Sequence, residues 1–472
     1  MKTFSILLRP KVMVFWLAIV LNGMVVHAQD ITGQWNGVLS IQGINLRIVF
    51  HVNQAGDGYT ATMDSPDQGA SGIPVTTTTF KDSKLSLAIP NIGFLYEGEF
   101  KIDSIMGTFK QSGMSIPMTL KRTPAEIKQA NRPQEPKPPY PYRSEDITFE
   151  NKSAGITLAG TLTMPATGSN FTAVILISGS GAQNRNEEIM GHKPFLVIAD
   201  YLTRNGIAVL RYDDRGTAQS TGNFATATTA DFATDAESAM AYMKTRTEIN
   251  PQRIGLMGHS EGGAIAPMIA ARSNDVAFIV MLAGPGLRGD KISLLQTELI
   301  GRASGMSEDK IARGGKLNII LYNKIINSKE AVTQQEMVDL MMSMKAELAE
   351  FASEEIDIEN FIKATAVQMT SPWMHHYFRY DPASALERVK CPVLAVNGNK
   401  DLQVSAKENL LAISNALKKG GNTNVTLKVY PNLNHLFQEC TTGLPTEYAR
   451  IEQTISPEVL KDVTAWIQSL NK

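Results

Sequence analysis

Gly258-His259-Ser260-Glu261-Gly262 decides the reading of this 472-residue chain. The stretch follows the apolar run Arg253-Ile-Gly-Leu-Met257 and precedes Gly263-Ala-Ile-Ala-Pro-Met-Ile-Ala-Ala-Arg272. The pattern is a strand, a sharp turn with a serine at its apex, then a helix, which is the nucleophile elbow G-x-S-x-G. Glycine is needed on both sides because the turn is strained and crowded, and a Cβ at 258 or 262 would meet the neighbouring strand or helix. The helix after Ser260 aims its N–H groups and the positive end of its dipole at charge developing there. Five residues alone also fit a tight turn carrying an idle serine, so the reading depends on partners elsewhere.

The partners stand in the order that such an elbow requires: serine, then an acid after a later strand, then a histidine after the next. Cys391-Pro-Val-Leu-Ala-Val396 has the composition of a buried strand and leads into Asn397-Gly-Asn-Lys-Asp401. A helical stretch, 406–418, follows. Val425-Thr-Leu-Lys-Val-Tyr430 then reads as a strand and runs into Pro431-Asn-Leu-Asn-His435. Ser260, Asp401 and His435 each sit just past the C-terminal end of an expected strand, the edge where open α/β sheets build sites. The residue types suit acyl transfer. A serine hydroxyl needs a base, histidine can accept and return a proton near neutrality, and a buried carboxylate fixes the imidazole tautomer. His192 and the pair His375-His376 are the competing bases. His259 belongs to the elbow itself, and His51 falls in a separate front domain.

A further strand, Phe171-Thr-Ala-Val-Ile-Leu-Ile177, is followed by Ser178-Gly-Ser-Gly181, whose small residues allow close backbone approach to a ligand. Taken alone this is a glycine-rich turn. It gains meaning from Arg211-Tyr-Asp-Asp-Arg-Gly216, which follows one strand later and precedes the elbow strand.

With these motifs in place, the segment from about 145 to 472 resembles an α/β-hydrolase, in the branch of bacterial esterases and peptidase-like hydrolases related to prolyl oligopeptidase. The resemblance implies a mostly parallel sheet. It implies Ser260, His435 and Asp401 as the catalytic residues, and an oxyanion hole from the N–H of Glu261 with that of Ser180 or Gly181. Many relatives carry histidine where Ser178 stands. Asp213 and Asp214 suggest a metal site, but in the family the Asp-x-Arg-Gly loop is structural, so neither a metal nor a cofactor is expected.

Lys2, Arg9 and Lys11 precede the apolar run 12–26, and Val26-His27-Ala28 offers small residues for cleavage. Residues 1–28 therefore read as a signal peptide, whose apolar run is too short to span a bilayer. The mature protein is expected to be periplasmic or secreted, without an integral membrane segment. The only two cysteines, Cys391 and Cys440, suit export without a disulfide framework. Forty-five basic against 46 acidic residues give no electrostatic case for nucleic acid.

The length calls for a second domain. Residues 29–122 alternate apolar and polar positions in short runs separated by turns, as an antiparallel β barrel or sandwich does. Gly33-Gln-Trp35 is similar to the opening of lipocalin-type barrels, which would allow a ligand-holding module or a structural or partner-docking one. Prolines 124, 133, 136, 138, 139 and 141 mark 123–144 as an extended linker. Between the strand ending at Leu282 and that containing Val393 lies a methionine-rich helical stretch, about 287–385, too long to lack structure. It is expected to cap the site. Its methionines would line an acyl pocket or fill its own core, and Trp373, Tyr377 and Phe378 are candidate pocket walls.

The expected activity is that of a serine hydrolase cleaving a carboxylic ester through an acyl-enzyme. A peptidase is the alternative, weakened because such relatives usually carry a large β-propeller in front. A non-catalytic binding protein is disfavoured by the complete set of three residues.

Overall fold

The computed structural model describes residues 30–41, 44–66, 70–90, 93–111, 114–123, 131–351 and 357–470. The expected signal peptide and the first part of the linker lie outside them.

Among the described residues, nine antiparallel strands form the front unit. They are β1 (Gly33–Ile41), β2 (Ile44–Ala55), β3 (Gly58–Ser65), β4 (Ala70–Val75), β5 (Thr77–Lys81), β6 (Lys84–Ile89), β7 (Phe94–Lys101), β8 (Ser104–Gln111) and β9 (Met114–Lys121). Their spatial order, β4-β3-β2-β1-β9-β8-β7-β6-β5, makes a meander whose ends curl towards each other, with β5 against β3 and β6 against β4, so the barrel is nearly closed. Alternation sends Trp35, Phe50, Leu87, Phe94, Tyr96 and Leu120 inward, all fully or almost fully buried. The Tyr96 hydroxyl donates to the carbonyls of Ile105 and Met118 at 2.9 and 3.1 Å. Aromatic rings thus occupy the interior where a lipocalin-type ligand would sit.

Eight strands form the second sheet: β10 (Arg143–Asn151), β11 (Ile156–Met164), β12 (Phe171–Ile177), β13 (Ala208–Tyr212), β14 (Ile249–His259), β15 (Ile279–Leu282), β16 (Val393–Gly398) and β17 (Val425–Tyr430). The order is β10-β11-β13-β12-β14-β15-β16-β17, antiparallel at β10 and β11 and parallel thereafter. The inner strands read as continuous apolar runs because both faces are covered. Successive residues alternate between the two cores. Ile175, Leu256 and Met281 meet α2 (Thr229–Lys244), α3 (Gly262–Ala270) and α11 (Ala406–Lys419). Leu176, Met257 and Leu282 meet α1 (Pro194–Arg204) and α13 (Pro457–Ser469). This is the α/β-hydrolase arrangement.

Between β15 and β16 the described chain forms α4 (Gly289–Ala303), α5 (Glu308–Asn327), α6 (Gln334–Ser343), α7 (Lys345–Ala349), α8 (Ile358–Met369), α9 (Pro372–Arg379) and α10 (Ala383–Leu386). Met337, Met341, Met344 and Met369 fill the core of this insertion. Phe378 belongs there too. It is 1% exposed and packs on Tyr322 with ring centroids 4.5 Å apart, so it is no pocket wall. The helical register explains the correction, since Tyr377 and Phe378 are adjacent on α9 and point about 100° apart.

The linker is only partly a spacer. Arg132 donates to the carbonyls of Gly191 and Ala449 at 3.0 and 2.8 Å, and Gln134 accepts from Thr454 N–H at 2.6 Å and donates to Ile455 O at 2.7 Å. Tyr142 donates to Asp200 at 2.8 Å just before β10 begins.

Candidate active site

The elbow is built as its glycines require. Ser260 takes φ 50°, a left-handed conformation rarely tolerated outside glycine. A Cβ on Gly258 would lie 1.9 Å from Gly262 O, and one on Gly262 would lie 2.1 Å from Ile177 O. The Ser260 N–H donates to Leu282 O at 2.9 Å, which pins the turn to β15.

Asp401 and His435 meet across the ends of β16 and β17. His435 Nδ1 lies 2.7 Å from Asp401 Oδ2. The other carboxylate oxygen accepts the N–H groups of Gln403 and Val404, both at 2.8 Å. Asp401 is 3% exposed and His435 5%. The histidine loop is held by the fully buried Asn434, whose Oδ1 accepts from Leu436 and Gln438 N–H at 3.0 and 2.9 Å. His435 reaches the elbow through His259: the His259 Nε2 is 3.0 Å from His435 O, and the two rings are 4.8 Å apart. Among the described residues, His435 bonds Asp401 and not the Ser260 hydroxyl; nucleophile–base bonds often tighten only when substrate arrives.

The loop after β12 is braced from below. Ser178 Oγ donates to Asp214 at 2.6 Å, and Gln183 N–H to the same carboxyl at 3.0 Å. Burial raises the Asp214 pKa well above the ordinary carboxylate value. Asp213 pairs with Arg185 at 2.7 Å. Gly179 N–H is taken by Glu187 at 2.8 Å. Ser180 lines the cavity beside Ser260 and Glu261; Gly181, at φ 100°, does not. Among the described residues, the N–H groups of Ser180 and Glu261 have no protein acceptor.

The cavity holds about 200 Å³. Its floor is Ser260, Glu261 and Ala264; its walls are Leu287, Ile292 and Gln296 from around α4 and Trp373, Met374 and Tyr377 from α9. Trp373 and Tyr377 stack at 4.9 Å with planes 10° apart. Trp373 Nε1–H donates to Glu261 Oε1 at 2.7 Å, as does Thr229 Oγ1 at 2.6 Å. Burial nevertheless pushes the Glu261 carboxyl above its usual value. Of the rival histidines, His376 lines the cavity against Tyr380, and His192 is buried elsewhere between Thr454 and Tyr448. Cys391 and Cys440 are both free. Among the described residues, no cluster of three or more His, Cys, Asp or Glu could hold a metal, and no helix is long and apolar enough to cross a membrane.

Two buried residues here escape sequence reasoning: Glu187, and His259 in the role its bonds give it. Nothing in Asn184-Arg-Asn-Glu-Glu188 separates a buried carboxylate from a solvated one.

Residues 194–439, more than half the chain, match the family described as serine aminopeptidase, S33. The chain belongs to this family. It is therefore an α/β-hydrolase by family as well as by fold, and a hydrolase by activity. Esterase EstD of Thermotoga maritima is 25% identical over 384 residues, covering 79% of this chain and 81% of its own. The Escherichia coli K12 protein YfhR is 31% identical over 128 residues, covering 27% of this chain and 41% of its own. Among solved structures, an esterase of Pyrococcus furiosus aligns with a TM-score of 0.43 at 17% identity, covering 73% of this chain and 99% of that one.

Proposed function

We propose that this chain is an exported serine hydrolase that cleaves a carboxylic ester through an acyl-enzyme. Ser260 Oγ attacks the acyl carbon while His435 Nε2 takes its proton. The same nitrogen returns the proton to the departing alcohol, and water then releases the acid by the reverse sequence. Asp401 orients His435, and the N–H groups of Glu261 and Ser180 receive the oxyanion. The observation that carries this reading is the 2.7 Å Asp401–His435 bond, with Asp401 fixed by two backbone donors, behind a serine held at positive φ. The similarity to Esterase EstD supports an ester over a peptide.

The helical insertion serves as a cap in this reading. A cavity of about 200 Å³ falls below the roughly 300–1,000 Å³ of sites for drug-sized ligands, so a short acyl group is the expected substrate. Export rests on residues 1–28, and the N-terminal sequence of the secreted form should begin at Gln29.

The deciding assay is turnover of p-nitrophenyl esters of increasing acyl length beside Ser260→Ala. Activity that disappears in the variant and peaks at short chains supports the reading. Turnover only of amino-acid p-nitroanilides, with Ser260 labelled by a fluorophosphonate, would replace it with an aminopeptidase. Failure of Ser260 to label would leave a binding protein.

A further inference from the structure

Behind the cavity one buried pair touches three loops. Glu187 lies between β12 and α1, is 3% exposed and takes φ 49°, a conformation that persists in a non-glycine residue only when its surroundings enforce it. Its Oε1 accepts Gly179 N–H at 2.8 Å and faces His259 Nδ1 at 2.9 Å. The other His259 nitrogen faces His435 O at 3.0 Å. Neither Glu187 nor His259 lines the cavity.

The proton count follows from these partners. A backbone carbonyl only accepts, so His259 Nε2 carries a hydrogen. Nδ1 then faces a carboxylate oxygen, and that contact is attractive only with a second proton between them. The pair therefore holds one proton more than a neutral imidazole beside a carboxylate. Burial acts to lower the His259 pKa, but the charge and hydrogen bond of Glu187 carry it above its ordinary value.

We propose that Glu187 and His259 form one positioning unit, whose shared proton ties the loop of Ser180 and the loop of His435 to the elbow of Ser260. The proposal rests on the roles given above to Ser260, Asp401 and His435. Its logic lies in a single atom position, Glu187 Oε1, which serves both Gly179 and His259. In Glu187→Gln that position is either oxygen or an amide nitrogen. As oxygen it keeps Gly179 N–H, but a neutral His259 with its proton on Nδ1 turns a lone pair on His435 O, and the histidine loop is released. As nitrogen it can donate to His259 but opposes Gly179 N–H, and the oxyanion loop is released.

The test compares wild type, Glu187→Gln, His259→Gln and the double variant on a short p-nitrophenyl ester. Misplaced reacting groups should lower kcat about 10- to 100-fold, with KM within about threefold and the double variant no worse than the worse single one, as for residues acting as a unit. In the wild type, ¹⁵N-histidine NMR should show a strongly downfield imidazole proton that survives Asp401→Asn and is therefore not that of His435. Absence of that resonance, or a folded Glu187→Gln with wild-type kcat, overturns the proposal; the NMR arm decides if Glu187→Gln does not fold. Turnover that survives Ser260→Ala would instead sink the underlying reading of the site, whatever Glu187 does.

Discussion

Asp401→Asn gives the sharpest test of the site, because the backbone dictates which way the new amide must face. Asp401 Oδ1 accepts two N–H groups, from Gln403 and Val404, each at 2.8 Å, while Oδ2 faces His435 Nδ1 at 2.7 Å. An asparagine keeps both backbone bonds only if its oxygen stays towards them, which turns its NH₂ towards His435. The imidazole must then accept at Nδ1 and carry its proton on Nε2, the nitrogen that has to receive the serine proton. Flipping the amide restores the useful tautomer but leaves two buried backbone donors unsatisfied, at about 1–3 kcal/mol each. The competent arrangement is thus disfavoured by roughly 4 kcal/mol, and at about 1.4 kcal/mol per tenfold the loss is on the order of a thousandfold. The assay is kcat/KM on a short p-nitrophenyl ester, with thermal unfolding measured in parallel. Activity should drop by that factor while the midpoint stays within a few degrees, since the loop keeps its backbone bonds. A folded variant within tenfold of wild type would refute the tautomer argument and move the acid elsewhere.

Other substitutions probe separate parts of the molecule. Gly258→Ala would set a Cβ 1.9 Å from Gly262 O, so it should abolish turnover and depress soluble yield; an active, stable Gly258→Ala protein would contradict the described elbow. Phe378→Ala should destabilise the insertion by about 3–5 kcal/mol, as core aromatic truncations do, visible as an earlier denaturant transition. Trp373→Ala instead opens the cavity and should shift the acyl-length optimum upward; an unchanged chain-length profile would argue that substrate does not meet the Trp373 wall. Burial pushes the His192 pKa down to about 4. The unfolded chain therefore takes up a proton first as pH falls, so the associated stability is present above about 6.5 and is lost towards pH 4, on the order of 3 kcal/mol. Urea midpoints between pH 7 and 4 should fall less steeply in His192→Gln than in wild type.

Much of this was legible in the chain because strong local constraints leave strong local marks. Phe171–Ile177, an apolar run, and Val425–Tyr430, a β-type run, are bounded in the structure as their sequences indicate, and strand-then-turn punctuation is what brings Asp401 to His435. The antiparallel alternation of the front unit likewise declares its class. What could not be read depends on contacts distant in sequence. Whether Tyr377 or Phe378 faces the cavity depends on how α9 packs on α5, and both are aromatic residues in the same helix. Glu187 is an ordinary acidic loop residue until His259, 72 positions later, folds over it. The filling of the barrel by Trp35, Phe50 and Tyr96 depends on how the nine strands curl, which alternation leaves open.

The Arg132 clamp has a consequence for how the protein is made. Its carbonyl acceptors at Ala449 and Ile451 lie 317 and 319 residues further along, and Gln134 meets Ile455 at a separation of 321. A chain emerging from its N-terminus can assemble the barrel early, from strands that pair mostly with their immediate neighbours. The bonds of Arg132 and Gln134 to residues 449–455 cannot form until nearly the last turn before α13 exists. Until then only the nearer partners, Gly191 for Arg132 and Asp200 for Tyr142, are available, and closure of the clamp waits for residues 449–455. A product cut short before residue 449 would lack those far bonds, so its segment around Arg132 should be cut faster by added protease than in the full-length chain.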